Sequence, residues 1–177
     1  MKQHSVNKLK YLTPIEVVEL ETRLANGKRK EFRNLVMIEL LLRTGMRSSE
    51  MLLLRPMDLY LETESIQVAT IKGGKDREIP IPQVLFKKVK SMATGERDQP
   101  IFPIAQRTLQ GIWYEIRPVR KKLHSLRHTY AYNLYKRHKD LLLCKRALGH
   151  RSINSTMVYQ EEYYQQADLN RLLAMND

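Results

Sequence analysis

Hydrophobic spacing changes period once along this chain, between residues 65 and 81, and that single change limits the folds open to it. Ser65-Ile66-Gln67-Val68-Ala69-Thr70-Ile71 alternates apolar and polar side chains, Gly73-Gly74 offers a turn, and residues 75–81 alternate again. Period two on both sides of a Gly-Gly pair predicts a β-hairpin. The flanking regions have helical spacing instead. Thr13-Pro14-Ile15-Glu16 carries a capping box with proline in the first turn, and Gly27 closes that helix. Residues 29–44 place Phe32, Leu35, Val36, Ile38, Leu40, Leu41 and Leu42 on every face, the mark of a central core helix, with Gly45 as its C-cap. A short helix at 48–54 should break at Arg55-Pro56. Further helices are predicted at 84–92, 109–116, 125–136 and 140–148, the last stopped by Gly149, with a final pair within 152–175. The expected fold class is mainly α with a small antiparallel β-sheet (α+β), as a single domain over residues 11–177 behind a short basic arm at 1–10. Neither GxGxxG nor GxxxxGK[ST] occurs, so Rossmann and P-loop enzymes are excluded.

Charge narrows the function. The 177 residues hold 31 Lys plus Arg against 19 Asp plus Glu, a net charge of +12. Between Arg117 and Arg151 eleven basic residues face one acid, Asp140, so this stretch alone carries +10. A polyanionic partner follows, and nucleic acid is the commonest. The stretch is interleaved with Tyr, His and Leu in core-like patterns and makes no single basic amphipathic helix, which argues against a membrane surface. No apolar run approaches the roughly 20 residues that span a bilayer. The lone cysteine, Cys144, forms no internal disulfide and reads as a small buried hydrophobe. A reducing, cytoplasmic compartment in association with DNA is the expectation.

Reactive residue types cluster in five places: Thr44-Gly45-Met46-Arg47-Ser48-Ser49-Glu50, Ile71-Lys72-Gly73-Gly74-Lys75, His124-Ser125-Leu126-Arg127-His128, Leu148-Gly149-His150, and Tyr159. In this order and spacing they resemble the catalytic domain of the tyrosine site-specific recombinases, the family of phage integrases and Xer-type resolvases. The resemblance runs from about Tyr11 to Tyr159. It implies the DNA breaking-rejoining fold and an enzyme that cuts and rejoins DNA strands through a 3′-phosphotyrosine, with no metal, nucleotide or other cofactor. Tyr159 is implied as nucleophile, Arg47 and Arg127 as clamps on the scissile phosphate, and Lys72 as general acid with Lys75 as the fallback. His124 would accept the tyrosine proton or bond the phosphate, His150 would donate to the phosphate, and Glu50 would position the basic groups. The implied partners are double-stranded DNA, three further copies of the chain in a tetramer on DNA, and an accessory DNA-bending protein.

The chemistry of these residue types agrees with that assignment. Cleaving a phosphodiester without a metal requires neutralising the non-bridging oxygens, for which planar guanidinium groups are suited. Rejoining without ATP requires a covalent link that stores the broken bond. Other readings stand beside it. His124, His128 and His150 could in principle hold a metal, but no carboxylate neighbours the HxxxH pair and Arg127 between its members would repel a cation. His128 reads instead as a structural hydrogen-bonding histidine, and Tyr130, Tyr132 and Tyr135 as core or strand-facing aromatics. Nine residues of continuous helix would separate His150 from Tyr159 by about 13 Å, so spacing does not join them. Most family relatives carry an N-terminal helical clamp domain, which is expected to be absent here, and their terminal helix docks on a neighbour. Leu169, Leu172 and Leu173 in the tail at 160–177 suggest the same exchange between protomers. Two rival functions are a catalytically silent DNA-binding accessory protein on this scaffold and a DNA relaxer like the type IB topoisomerases.

Overall fold

The computed structural model describes residues 9–28, 31–71 and 73–174, and the side chains of 166–170, 172 and 173 lie outside that description. Helix α1 (Pro14–Asn26) begins with the capping box read from the sequence: Glu16 N donates to Thr13 Oγ1 at 3.4 Å, and Thr13 N donates to Glu16 Oε2 at 2.7 Å. Helix α2 (Phe32–Thr44) is the core helix, since between Leu35 and Thr44 only Glu39 and Arg43 escape full burial. It ends at Gly45, whose φ of 60° lies in the left-handed region and whose N–H donates to Leu41 O at 3.0 Å. A β-carbon there would also run into the Tyr130 ring, so two independent constraints require glycine. Helix α3 (Ser48–Leu52) stops two residues before its expected end, and a 3-10 turn, Pro56–Asp58, follows.

The sheet has three antiparallel strands, not the two expected. Strands β1 (Leu59–Tyr60), β2 (Ser65–Val68) and β3 (Arg77–Pro80) pair in the order β1-β2-β3, with Ile66 opposite both Leu59 and Ile79, and Val68 opposite Arg77. Two residues are too few to display a period, which is why β1 was invisible in the pattern. The connection from 69 to 76 is longer than a two-residue turn. Thr70 N donates to Asp76 Oδ1 at 2.8 Å and Thr70 Oγ1 donates to Lys75 O at 2.8 Å, so side-chain bonds close the loop in place of the ladder.

Helices α4 (Gln83–Met92), α5 (Gln106–Ile116), α6 (Ser125–His138) and α7 (Leu141–Leu148) follow, α7 capped by Asp140, whose Oδ1 accepts from Leu142 N and Leu143 N. The expected final pair is one helix, α8 (Asn154–Ala174). Nothing in that span, neither Gly nor Pro, interrupts it once it starts. The main hydrophobic cluster surrounds α2 and joins it to the sheet, α4 and α5, with Trp113 fully enclosed. A second, smaller cluster joins α6, α7 and α8 through Tyr135, Cys144, Leu148 and Tyr159, and it includes Tyr11.

Tyr11 anchors the segment before α1 to this second layer. Its ring stacks on Tyr132 at 4.4 Å and its hydroxyl donates to Glu162 on α8 at 3.2 Å. Leu12 N donates to Thr129 Oγ1 on α6 at 2.8 Å, and Lys121 Nζ donates to both Tyr11 O and Glu16 Oε2. Among the described residues no helix is long and apolar enough to cross a membrane. The double constraint at Gly45 makes a sharp expectation. Gly45→Ala should destabilise the fold by about 1–3 kcal/mol from the left-handed backbone alone, more if Tyr130 cannot move aside, as read by denaturant unfolding.

Candidate active site

Arg127 lies in the first turn of α6 and is buried, yet no carboxylate pairs with it directly among the described residues. Its Nη1 donates to Gly45 O and its Nη2 to Leu148 O, each at 2.7 Å. Both acceptors sit at helix C-termini, α2 and α7, where the backbone dipoles concentrate partial negative charge. Carbonyls hold the guanidinium in a fixed plane without neutralising it, so its field remains available to an incoming anion. Burial, with Arg47 nearby, lowers the Arg127 pKa to about 10, which leaves the group charged at neutral pH.

Arg47 precedes α3 and is partly exposed. Its Nη1 donates to Glu50 Oε1 at 2.7 Å and its backbone N to Glu50 Oε2 at 2.8 Å. Glu50 is wholly enclosed and also accepts from Arg77 Nη2 at 2.8 Å. Burial alone would raise the Glu50 pKa, but the hydrogen bonds from Arg77 and Arg47 outweigh it and hold the carboxyl below its ordinary range. Two guanidinium groups thus share one carboxylate, and with Arg127 close enough to interact with it through charge the site keeps an excess of positive charge.

Arg77 lies outside the five sequence motifs. It occupies an inward position of β3, alternating with Ile79 while Glu78 and Pro80 face solvent. The readable signal was an arginine in phase with an apolar strand face. Besides Glu50 it donates from Nε to Ala147 O at 2.8 Å, while its Nη1 is buried with no hydrogen-bond partner. A β-carbon on Gly149, whose φ is 64°, would sit 2.8 Å from that Nη1. Glycine is therefore required where α7 ends against the strand. Arg77 joins the hairpin, α3 and the end of α7 into one unit.

His150 follows Gly149 in the turn before α8, which answers the spacing problem: it is not on the helix that carries Tyr159. Its Nδ1 lies 3.0 Å from Thr156 Oγ1, a contact not foreseen in the sequence. On α8 the residues at Thr156, Tyr159 and Glu162 form one buried face, which turns the Tyr159 ring inward. A cleft of about 590 Å³ is lined by Arg47, His124, Arg127, His150 and Tyr159, together with Lys10 and His128. Five of the six expected catalytic residues therefore meet in one place. The sixth, Lys72, lies outside the described residues. Lys75 is exposed and lines a separate groove between β3 and α7 instead.

The histidines divide unexpectedly. His124, at the N-cap of α6, has its pKa lowered by burial and by Arg127 and Arg47. Its ring meets His128 edge-on at 4.7 Å. His128 Nδ1 is 3.0 Å from the Tyr159 hydroxyl, so the structural histidine of the sequence reading is the one in contact with the tyrosine. Burial, with neighbouring positive groups, depresses the pKa of His128 and of His150 to about 4 each. Burial pushes Tyr159 up to about 12 against the opposing pull of Arg127 and Arg47. The resting cleft holds neutral imidazoles and a neutral phenol beneath a fixed array of arginines.

Residues 10–166 match the family model described as Phage integrase family. The chain belongs to that family. A tyrosine recombinase XerA of Pyrococcus furiosus is 30% identical over an alignment covering 85% of this chain and 56% of that protein. Among solved structures, the catalytic domain of bacteriophage HP1 integrase aligns with a TM-score of 0.65 at 25% identity, covering 88% of this chain and 89% of that one. The XerH recombinase in a post-cleavage complex with palindromic difH substrate aligns at 0.73 and 26% identity, covering 93% of this chain and 53% of that one. This family member spans about half the length of the curated relatives it matches. The mainly helical fold with a small antiparallel sheet is the one those catalytic domains share.

Two expectations follow from the geometry. Arg77→Ala leaves Glu50 buried with a partner missing and should cost about 3–5 kcal/mol in denaturant unfolding. Acidification tests the imidazoles. Between pH 6.5 and about 4 the unfolded chain takes up protons that His128 and His150 refuse in the fold, so stability falls as pH drops through that window. Below it, protonation of Glu50 adds a further loss. The melting midpoint should be lower at pH 5 than at pH 7, and an unchanged midpoint would mean the imidazoles are not held neutral.

Proposed function

We propose that this chain is the catalytic unit of a site-specific DNA recombinase, with residues 11–177 acting as one catalytic domain on double-stranded DNA. The observation that carries this reading is the gathering of Arg47, His124, Arg127, His150 and Tyr159 around one cleft. The membership of the chain in the phage integrase family and its likeness to XerH in complex with difH support it.

In this reading Arg47 and Arg127 grip the non-bridging oxygens of the scissile phosphate, with His124 and His150 as further donors. The two guanidinium charges and these hydrogen-bond donors stabilise the charge that builds on pentavalent phosphorus. Tyr159 Oη attacks, the P–O5′ bond breaks, and Lys72 protonates the departing 5′-oxygen. The 3′-phosphotyrosine conserves the bond energy, so attack by a 5′-hydroxyl from a second duplex reseals the strand without ATP. Glu50 and Arg77 touch no reacting atom and act by fixing Arg47 and the end of α7. Exchange between two duplexes calls for a tetramer and a Holliday-junction intermediate, with an accessory DNA-bending protein as a further partner. Integration, excision, inversion and resolution all use this same chemistry.

The test mixes the protein with nicked duplexes tiled from the DNA flanking its gene, in EDTA, and looks for SDS-resistant adducts. Wild type should yield an adduct that Tyr159→Phe loses while still binding DNA. Arg127→Lys should lose most of the activity, because a point charge does not reproduce the two-pronged contact. Binding with no adduct in wild type would favour the accessory-protein reading. Cleavage independent of site and of protein concentration would favour the relaxer.

A further inference from the structure

His128 holds a place that the roles above leave unused. It stands on the first turn of α6, directly after Arg127, and its Nδ1 is 3.0 Å from Tyr159 Oη. Among the described residues this is the hydroxyl's one hydrogen-bond partner; in the tautomer that carries its proton on the second ring nitrogen, Nδ1 is the acceptor and the phenolic hydrogen points at it. His124, one turn earlier, makes no hydrogen bond to Tyr159 and instead packs edge-on against the His128 ring. A base must first lie within hydrogen-bond reach of the proton it removes. Of the imidazoles lining the cleft, His128 is the one with a hydrogen bond to the tyrosine.

We propose that His128 is the general base for Tyr159, accepting its proton as the phenolic oxygen attacks phosphorus and returning it when the strand is resealed. The proposal rests on the reading of Tyr159 as nucleophile. In cleavage the Oη–P bond forms and the P–O5′ bond breaks. The phenolic proton passes to His128 Nδ1, and a separate proton, from the general acid, goes to the 5′-oxygen. Resealing runs the same transfers backwards, so no proton is gained or lost over the cycle.

The charges around His128 explain how such a base stays idle without DNA. Lys10 from the N-terminal segment, His124 and Arg127 from α6, and the Tyr159 phenol from α8 all face it, and Arg47 lines the same cleft. The cations among them and partial burial disfavour an imidazolium, in keeping with its lowered pKa. A phosphodiester entering the cleft brings negative charge against those same cations. Occupancy by DNA thereby strengthens the base at the step that needs it.

The decisive experiment measures single-turnover cleavage of the nicked duplex found in the adduct search, from pH 5 to pH 10. It compares wild type, His128→Gln, His128→Ala and Tyr159→Phe as full-length chains. A second substrate carries sulfur in place of the bridging 5′-oxygen, so that departure needs no proton and the rate reports on the nucleophile alone. Both His128 variants should bind DNA as wild type does yet cleave about 10²–10⁴-fold more slowly on either substrate. Their rates should climb with pH where wild type levels off, and added imidazole should restore part of the rate to His128→Ala. Gln keeps a hydrogen-bonding group in place but cannot take the proton, so a merely structural role would spare His128→Gln. Cleavage by the variants at or above the wild-type rate overturns the proposal, and a faster rate would make His128 a latch on a resting tyrosine. An adduct lost in Tyr159→Phe but undiminished in the His128 variants defeats the base and leaves the nucleophile standing. No Tyr159 adduct in wild type defeats both.

Discussion

The Arg127 guanidinium ties together three elements that the chain order keeps apart. By donating to Gly45 O and Leu148 O it fixes the end of α2, the start of α6 and the end of α7 around one point. The same two bonds explain both left-handed glycines nearby. Gly45 and Gly149 turn the chain sharply enough that the last carbonyls of α2 and α7 face inward. A carboxylate in their place would have held the arginine as firmly but cancelled its charge. Dipolar acceptors satisfy its donors and leave the field intact, which is what binding an anion requires.

Glu50 shows the complementary solution. Its single negative charge is shared between Arg47 and Arg77, and it accepts a backbone N–H as well, so a fully buried carboxylate is satisfied on both oxygens. Two arginines of different exposure gain different roles from it. Arg77 is enclosed and joins the sheet to α3 and α7, whereas Arg47 keeps part of its guanidinium open to the cleft. Removing the carboxylate would both unpin Arg47 and bury a cation without a counter-charge.

Around these fixed charges the second cluster acts as a mount for Tyr159. The Tyr11 contacts with Tyr132 and Glu162 hold α8 against α6. Thr156 reaches His150 and Tyr159 reaches His128 from the same helix face. The tyrosine ring is part of the packed layer, so its position is set by packing, while its hydroxyl emerges among the imidazoles. The tail's leucines at 169, 172 and 173, expected to cross to another protomer, have side chains outside the described residues.

Much of this was legible in the chain itself. The capping box at Thr13, the all-round apolar α2, the glycine stops at 45 and 149 and the alternation at 65–81 are local signals, and local sterics and hydrogen bonds enforce them. The clustered basic charge and the five motifs were likewise visible as residues at fixed spacings. What the chain alone left open depends on contacts between distant segments. Strand β1 exists because Leu59 meets Ile66, not because two residues prefer extension. His150 sits in the turn ahead of helix α8, and the packing of that turn and helix brings His150 and Tyr159 to one cleft. Arg77 and His128 looked ordinary in sequence, since an arginine in a strand and a second histidine in a helix gain meaning only from what they touch. Local chemistry decided the elements. Their packing decided which nitrogen faces the tyrosine, because hydrogen-bond distance is a property of the assembled fold.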